Sequence, residues 1–145
     1  MKYRYVIVGG GLAGASAIEG IRERDPEGSI LLVSRENHPP YHRPPLSKDL
    51  WFGKKTLDQI AVNPEDFYAQ KKVELSLRRE ITELDADEHK LWDDRGATVT
   101  YEKLLLATGG RPRPLEAEGD VHGAVHYFRY LEDYQYLVGR LDAVE

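Results

Sequence analysis

The 145-residue chain contains no cysteine, so it can hold no disulfide framework, no cysteine-ligated zinc and no dithiol redox pair. Any electron relay it serves must therefore run on a bound cofactor. Long apolar runs are also missing, and none approaches the length of a membrane span. Neither sign of charge dominates: 20 Lys and Arg stand against 25 Asp and Glu, interspersed, for a net charge of −5. That balance argues against a nucleic-acid or anionic-membrane surface. His38, His42, His89, His122 and His126 are scattered without metal-ligand spacing, so no metal site is expected. Strand-like residues begin almost at Met1, which leaves no room for a leader; a cytoplasmic protein is expected, and a processed mitochondrial one would read the same way.

What the chain does have is concentrated at its start. Tyr5 to Val8 is an unbroken apolar run, as a parallel strand buried on both faces requires, and it runs directly into Gly9, Gly11 and Gly14. The helix that follows, Leu12 to Arg24, carries Gly14, Ala17, Ile18 and Ile21 on one face and Glu19, Arg22 and Glu23 on the other. In such a turn the first glycine permits the bend, the second lets the backbone approach a pyrophosphate, and the third lets helix pack on strand. The helix N-terminus then presents free N–H groups to the anion. A turn at Asp25-Pro26-Glu27-Gly28 and a second buried strand, Ser29 to Val33, complete a βαβ unit. A dinucleotide is the first hypothesis. Glu36 lies about 20 residues beyond Gly14, where an acidic residue would accept hydrogen bonds from an adenosine ribose. Ser34 and Arg35 precede it, and a guanidinium there could instead clasp the 2′-phosphate of NADP.

Further along, two Pro-Pro pairs stiffen the segment from Ser34 to Lys48, and Pro44-Pro45 suits the first turn of a short helix from Pro45 to Trp51. Asn63 is placed to cap a helix that has Pro64 at its first position and continues through Phe67 to Lys71, and Val73 to Leu77 reads as a strand. Glu80 to Leu84, His89 to Trp92 and Thr98 to Thr100 read as an antiparallel meander covering one sheet face. Leu104 to Ala107 reads as a further buried strand, ending in the pliable run Thr108-Gly109-Gly110, a place where ligands gather in open α/β sheets. The spacing of Leu131, Tyr134, Leu137 or Val138, and Leu141 predicts a helix over Tyr130 to Val144, with the neighbouring tyrosines and Phe128 in core or interface packing.

Three segments taken in order, Gly9 to Gly14, Pro40-Tyr41-His42-Arg43-Pro44-Pro45-Leu46-Ser47-Lys48, and Tyr101 to Arg113, carry a family resemblance. Together they resemble the FAD-binding N-terminal domain of the FAD-dependent pyridine nucleotide-disulfide oxidoreductases, in the branch of ferredoxin and rubredoxin reductases and apoptosis-inducing factor. The resemblance covers nearly all of residues 1–145. It implies an α/β Rossmann-like fold with a central parallel sheet, a helix layer and an antiparallel meander. It also implies FAD as cofactor, with NAD(P)H bound through a domain not in this chain, and a ferredoxin-like redox partner or small acceptor. Residue by residue, it places Gly9, Gly11, Leu12, Ala13 and Gly14 at the FAD pyrophosphate and Arg43 at the diphosphate and ribityl region. Lys48 would sit beside the isoalloxazine as the catalytic cation. Ile81 would meet the adenine through its backbone, and Ala107, Thr108, Gly109 and Arg113 would line the other side of the cofactor. The family's ribose acid usually fills the slot taken here by Arg35, so that acid is either displaced to Glu36 or lost, with Arg35 on the adenine.

No redox cysteines follow the second strand, which argues against disulfide reduction. No second glycine fingerprint follows, and the resemblance finds no counterpart here of the later Gly-Asp segment with which such proteins close the FAD site by a carboxylate on the ribityl chain. The chain thus reads as the N-terminal half of a reductase, needing a companion chain or a C-terminal part, with weak or absent FAD binding on its own. Two alternatives stand beside the reductase: a redox-controlled signalling or assembly protein like apoptosis-inducing factor, and a non-catalytic NADP-binding module.

Overall fold

A computed structural model describes residues 1–115 and 125–141. His122 and the expected helix end at 142–144 lie outside the described residues. The chain divides into two compact units. The first comprises Met1–Tyr41 and Ala61–Gly109, and the second His42–Ile60 and Gly110–Glu145.

The first unit is built on one six-stranded sheet. Its strands are β1 (Lys2–Val8), β2 (Ile30–Ser34), β3 (Val73–Leu77), β4 (Ile81–Asp85), β5 (Lys90–Asp93) and β6 (Thr98–Leu106), in the spatial order β3-β2-β1-β6-β5-β4. The four strands from β3 to β6 in that order pair in parallel, and β6, β5 and β4 pair antiparallel. Helix α1 (Leu12–Arg24) makes the crossover from β1 to β2, and the short α2 (Phe67–Gln70) precedes β3. Period-2 alternation divides the central strands between two cores. Ile7, Ile30 and Leu32 join Ile18 of α1 and Phe67 and Tyr68 of α2 on one face. Val6, Val8, Leu31 and Val33 join Tyr3, Leu91 and Tyr101 on the other. Ile7, Ile18 and Leu32 are fully enclosed, each contributing roughly 1.5–3 kcal/mol from burial.

The expected βαβ start is present, with α1 spanning the anticipated residues. Elsewhere the tertiary fold revises local readings. The run from Thr98 to Leu106 is one nine-residue strand rather than two, because pairing with β1 from Lys2 to Val8 carries it without a break. The meander therefore prolongs the parallel sheet instead of forming a separate layer, while Leu91 and Ile81 pack into the core of one face. Leu105 and Leu106, expected to be buried, are 40% and 56% exposed. Among the described residues β5 pairs with β6 only as far as Thr100, so the later part of β6 has its strand partner on one side. Arg22, on the polar face of α1, donates to the carbonyls of Lys71, Asp25, Gly28 and Lys72 at 2.7–3.1 Å. It ties the C-terminus of α1, where cations are favoured, to the entry of β3.

Asp25 closes the same corner. It accepts the Tyr5 hydroxyl at 2.9 Å and the Gly28 N–H at 2.8 Å, and pairs with Arg4 at 2.9 Å. Burial acts to raise its pKa, but these donors, the Glu27 N–H and the Arg4 charge outweigh burial and hold it below the usual carboxylate value. A carboxyl depressed in the folded state adds stability above its unfolded pKa, about 3.9, and loses it as pH falls through the folded value. Asp25→Asn should therefore lower the melting temperature at pH 7 and converge on the parent in acid, once the pH has fallen through the depressed folded value of Asp25. An equal offset at both pH values in thermal melts would refute that assignment.

The second unit holds a 3-10 turn over Pro44–Ser47, a second over Asp58–Ile60, and helix α3 (Leu131–Leu141). Pro-Pro opens the first turn as expected, but the segment ends as a 3-10 helix. The Lys48 N–H returns to the Pro45 carbonyl three residues back, the tight 3-10 pattern, and the Leu50 N–H closes on the same carbonyl from five residues on, so no run of i→i+4 bonds follows. Trp51 packs against Phe128 and Tyr134 with ring centroids 5.6 and 6.0 Å apart. Leu131 is buried, whereas Tyr127, Phe128 and Tyr136, expected in packing, are 37–47% exposed. No helix among the described residues is long and apolar enough to cross a membrane.

Candidate functional site

Within the first unit the glycine turn is an open-topped cradle, and each glycine has a different physical reason. Gly9 has φ of +131°, and a Cβ there would lie 2.0 Å from the Ala107 carbonyl oxygen. At Gly14 a Cβ would lie 2.2 Å from the Gly9 oxygen, so α1 could not approach β1. Gly10, not singled out from the spacing, is also constrained: a Cβ would lie 2.4 Å from Ser34 Oγ. Gly11 differs from all three, since a Cβ there would meet nothing within 4 Å. Its φ of −100° and ψ of −173° suit any residue. Packing and backbone strain thus leave glycine at position 11 unaccounted for, whereas the approach of a ligand would account for it.

Gly11 is also the N-cap of α1, with no side-chain cap hydrogen bond and no acidic residue in the first turn. The first intrahelical bond runs from the Ala15 N–H to the Gly11 carbonyl at 3.1 Å. The N–H groups at Leu12, Ala13 and Gly14 lie ahead of that bond, in the orphan turn where the helix dipole favours an anion. Leu12 and Ala13 are exposed. The cradle therefore fits a pyrophosphate: amide donors, positive dipole end, and room over Gly11.

The strand ends beside this turn gather the other expected residues of the unit. Ala107 donates its N–H to the Val8 carbonyl at 2.8 Å, which fixes it against Gly9; Thr108 and Gly109 follow, both exposed, with Gly109 at φ +69°. Glu36 is buried and its carboxylate accepts the Tyr41 hydroxyl. Arg35 beside it is exposed. The Arg79 and Arg78 N–H groups donate to the carbonyls of Ser34 and Glu36 at 2.9 and 3.2 Å, which brings the chain leading to Ile81 alongside the end of β2. Ile81 itself is half-buried against the core.

Described by itself, the second unit holds a cavity of about 430 Å³ lined by Arg43, Leu46, Ser47, Pro112, Phe128 and Arg129. Arg43 Nη1 donates to the Arg129 carbonyl at 3.1 Å, and its guanidinium lies 5.0 Å from the Tyr130 ring centroid. Arg129 Nε is buried without a hydrogen-bond partner. Two arginines thus line one cavity, giving it cationic residues suited to an anion. Arg129 was missed by sequence reasoning; its signal was an arginine just ahead of a helix start, where Asp133 accepts the Arg129 and Tyr130 N–H groups at 2.8 and 2.6 Å. Lys48 and Arg113 are exposed and do not line the cavity.

Known proteins share this architecture. Putidaredoxin reductase of Pseudomonas putida is 39% identical over 126 residues, covering 87% of this chain and 30% of that protein. Mitochondrial apoptosis-inducing factor 1 of Dictyostelium discoideum is 33% identical, covering 94% of this chain and 28% of its own length. The solved covalent complex of putidaredoxin reductase with putidaredoxin superposes with a TM-score of 0.85 at 38% identity, over 96% of this chain and 34% of that one. The chain therefore spans about a third of the length of the relatives it matches. Residues 3–142 match the family model described as pyridine nucleotide-disulphide oxidoreductase, and the chain belongs to that family.

Proposed function

We propose that this chain is the FAD-binding part of an NAD(P)H-dependent flavoprotein oxidoreductase that delivers electrons to a ferredoxin- or rubredoxin-type protein. The observation that carries the proposal is the contrast between Gly11, open above, and Gly9 and Gly14, each closed by backbone within 2.2 Å. Bound FAD supplies the redox chemistry, accepting a hydride from NAD(P)H and releasing electrons onward. The residues of this chain hold and orient it. The Leu12, Ala13 and Gly14 amides take the pyrophosphate, and Glu36 takes the adenosine ribose. Ile81 meets the adenine, with Ala107, Thr108 and Gly109 along the cofactor's flank. Family resemblance extends the assignment to Arg43 and Arg113 for negative charge and to Lys48 beside the isoalloxazine. Names of relatives support the partner class: putidaredoxin is the protein bound in the solved reductase complex.

Titrating the isotope-labelled 145-residue chain with ADP, FAD and NADPH tests this reading. The expected result is that ADP and FAD at millimolar concentration, where even the weak binding expected of this chain alone registers, shift the amide resonances of Gly9 to Gly14, Glu36 and Thr108. A preference for NADPH with the largest shifts at Arg35 would replace it with the NADP-binding module. The same titration leaves the apoptosis-inducing-factor-like alternative distinguishable by one further measurement, sedimentation of the flavin-loaded full-length protein with and without NADH.

A further inference from the structure

We infer that the turn from Lys48 to Lys55, with Phe52 at its centre, is a docking face for the protein acceptor and takes a small, acidic iron–sulfur protein. The inference rests on the reductase reading above. Phe52 is 70% exposed, more than any other Phe, Tyr or Trp among the described residues. A single apolar side chain at a surface needs no explanation by itself. This one, however, is held outward by its backbone. The Phe52 N–H donates to the Lys48 carbonyl at 3.0 Å and the Gly53 N–H to the Leu50 carbonyl at 3.1 Å, while the Lys54 and Lys55 N–H groups share the Asp49 carbonyl at 2.7 and 3.1 Å. The two residues ahead of Phe52 are anchored. Leu50 is 5% exposed, and Trp51 packs against Phe128 and Tyr134, whose hydroxyl reaches the Leu50 carbonyl at 3.5 Å. An aromatic ring on so fastened a turn loses little freedom when a partner covers it, which is how interface anchors work.

Charge states what kind of partner fits. Lys48, Lys54 and Lys55 are all exposed along the turn, against Asp49 alone, in a chain whose net charge is −5. Lys55 Nζ lies 3.6 Å from Asp49, and both side chains are 44% exposed. The turn therefore carries net positive charge on an acidic chain. An apolar centre with a cationic rim selects a partner whose own rim is acidic, and speeds its approach. The face is also continuous with the proposed flavin site, because the carbonyl that takes the Phe52 N–H belongs to Lys48, the residue placed beside the isoalloxazine by resemblance. A carrier seated on Phe52 would stand near the place where electrons leave the flavin.

The test measures steady-state turnover of the flavin-loaded full-length protein with NADH as donor and putidaredoxin, a rubredoxin or ferricyanide as acceptor. Phe52→Ala should raise KM for the iron–sulfur acceptor by about 10-fold, the scale of losing an interface anchor, and leave the ferricyanide rate unchanged. Lys54→Glu should raise the same KM by about 5-fold at low salt and converge on the parent as salt screens the charge. Arg95→Glu, an equal charge change at an exposed position of the other unit, should leave KM at the parent value. A parental KM in Phe52→Ala overturns the inference. So does a ferricyanide rate that falls in step, the mark of a disturbed flavin site. A lowered melting temperature or changed sedimentation of Phe52→Ala would also overturn it, by showing that the rest of the protein or a second copy already covers this face, as would a parent that reduces ferricyanide but neither iron–sulfur protein. A parent that reduces none of the three overturns the reductase reading itself.

Discussion

Gly9→Ala is expected to lower the stability of the chain by about 3–5 kcal/mol, the sum of backbone strain and overpacking. For a chain of this size that is roughly 10–20 °C in melting temperature. Two independent costs converge on one atom. At φ of +131° an L-residue is strained wherever it stands. The added Cβ would also lie 2.0 Å from the Ala107 oxygen and 2.5 Å from its carbonyl carbon, and both are backbone. Neither neighbour can rotate aside, because the Ala107 N–H is bonded to the Val8 carbonyl and the Gly9 N–H to the Val33 carbonyl, each at 2.8 Å. Three strands meet at this residue, so relief would require parting β1 from β2 or β6. Gly20→Ala supplies the control. It sits in the interior of α1 with nothing within 4 Å of the new Cβ, and helix propensity alone should raise stability by about 0.5–1 kcal/mol. Denaturant titration of the two variants reads both signs. A Gly9→Ala protein within 1 °C of the parent would mean the turn can be rebuilt, and the rigid cradle would be lost with it.

The second large effect falls on binding instead of folding. Gly11→Val should weaken ADP and FAD binding by about 100-fold or more, since branched carbons would stand where the pyrophosphate must approach the amides. Its melting temperature should fall by only a few degrees, because the backbone is in the extended region and the space above is open. Gly11→Ser sharpens the contrast. Serine is a better N-cap than glycine, by a few tenths of a kcal/mol, so this variant should be as stable as the parent or slightly more so, yet still lose affinity. Stability and affinity moving in opposite directions at one residue is the signature of a position shaped by ligand. Calorimetry paired with the nucleotide titration measures both. Unchanged affinity in Gly11→Val would place the anion elsewhere.

Much of the glycine turn could be read along the chain because its physics is local. An apolar run, three spaced glycines and a helical stripe lie within 24 residues, and each constrains its immediate neighbours through φ, ψ and periodicity. The same reasoning misjudged Leu105 and Leu106: an apolar run marks a strand able to be buried, but what covers its faces and edge comes from segments far away in sequence. Arg22 illustrates the converse, since helical periodicity put it on the polar face without revealing the four carbonyls it would meet there.

Primary structure alone was enough to establish the βαβ opening, the tight turn at Gly9, the close packing at Gly14 and the family, all of which follow from short-range spacing. It took the folded chain to bring Ser34 beneath Gly10, the Ala107 carbonyl against Gly9 and the Tyr41 hydroxyl onto Glu36, and to make one strand of Thr98 to Leu106. Those contacts arise from strand register and loop closure, and such terms depend on how distant segments pair in space and leave no local periodicity to read.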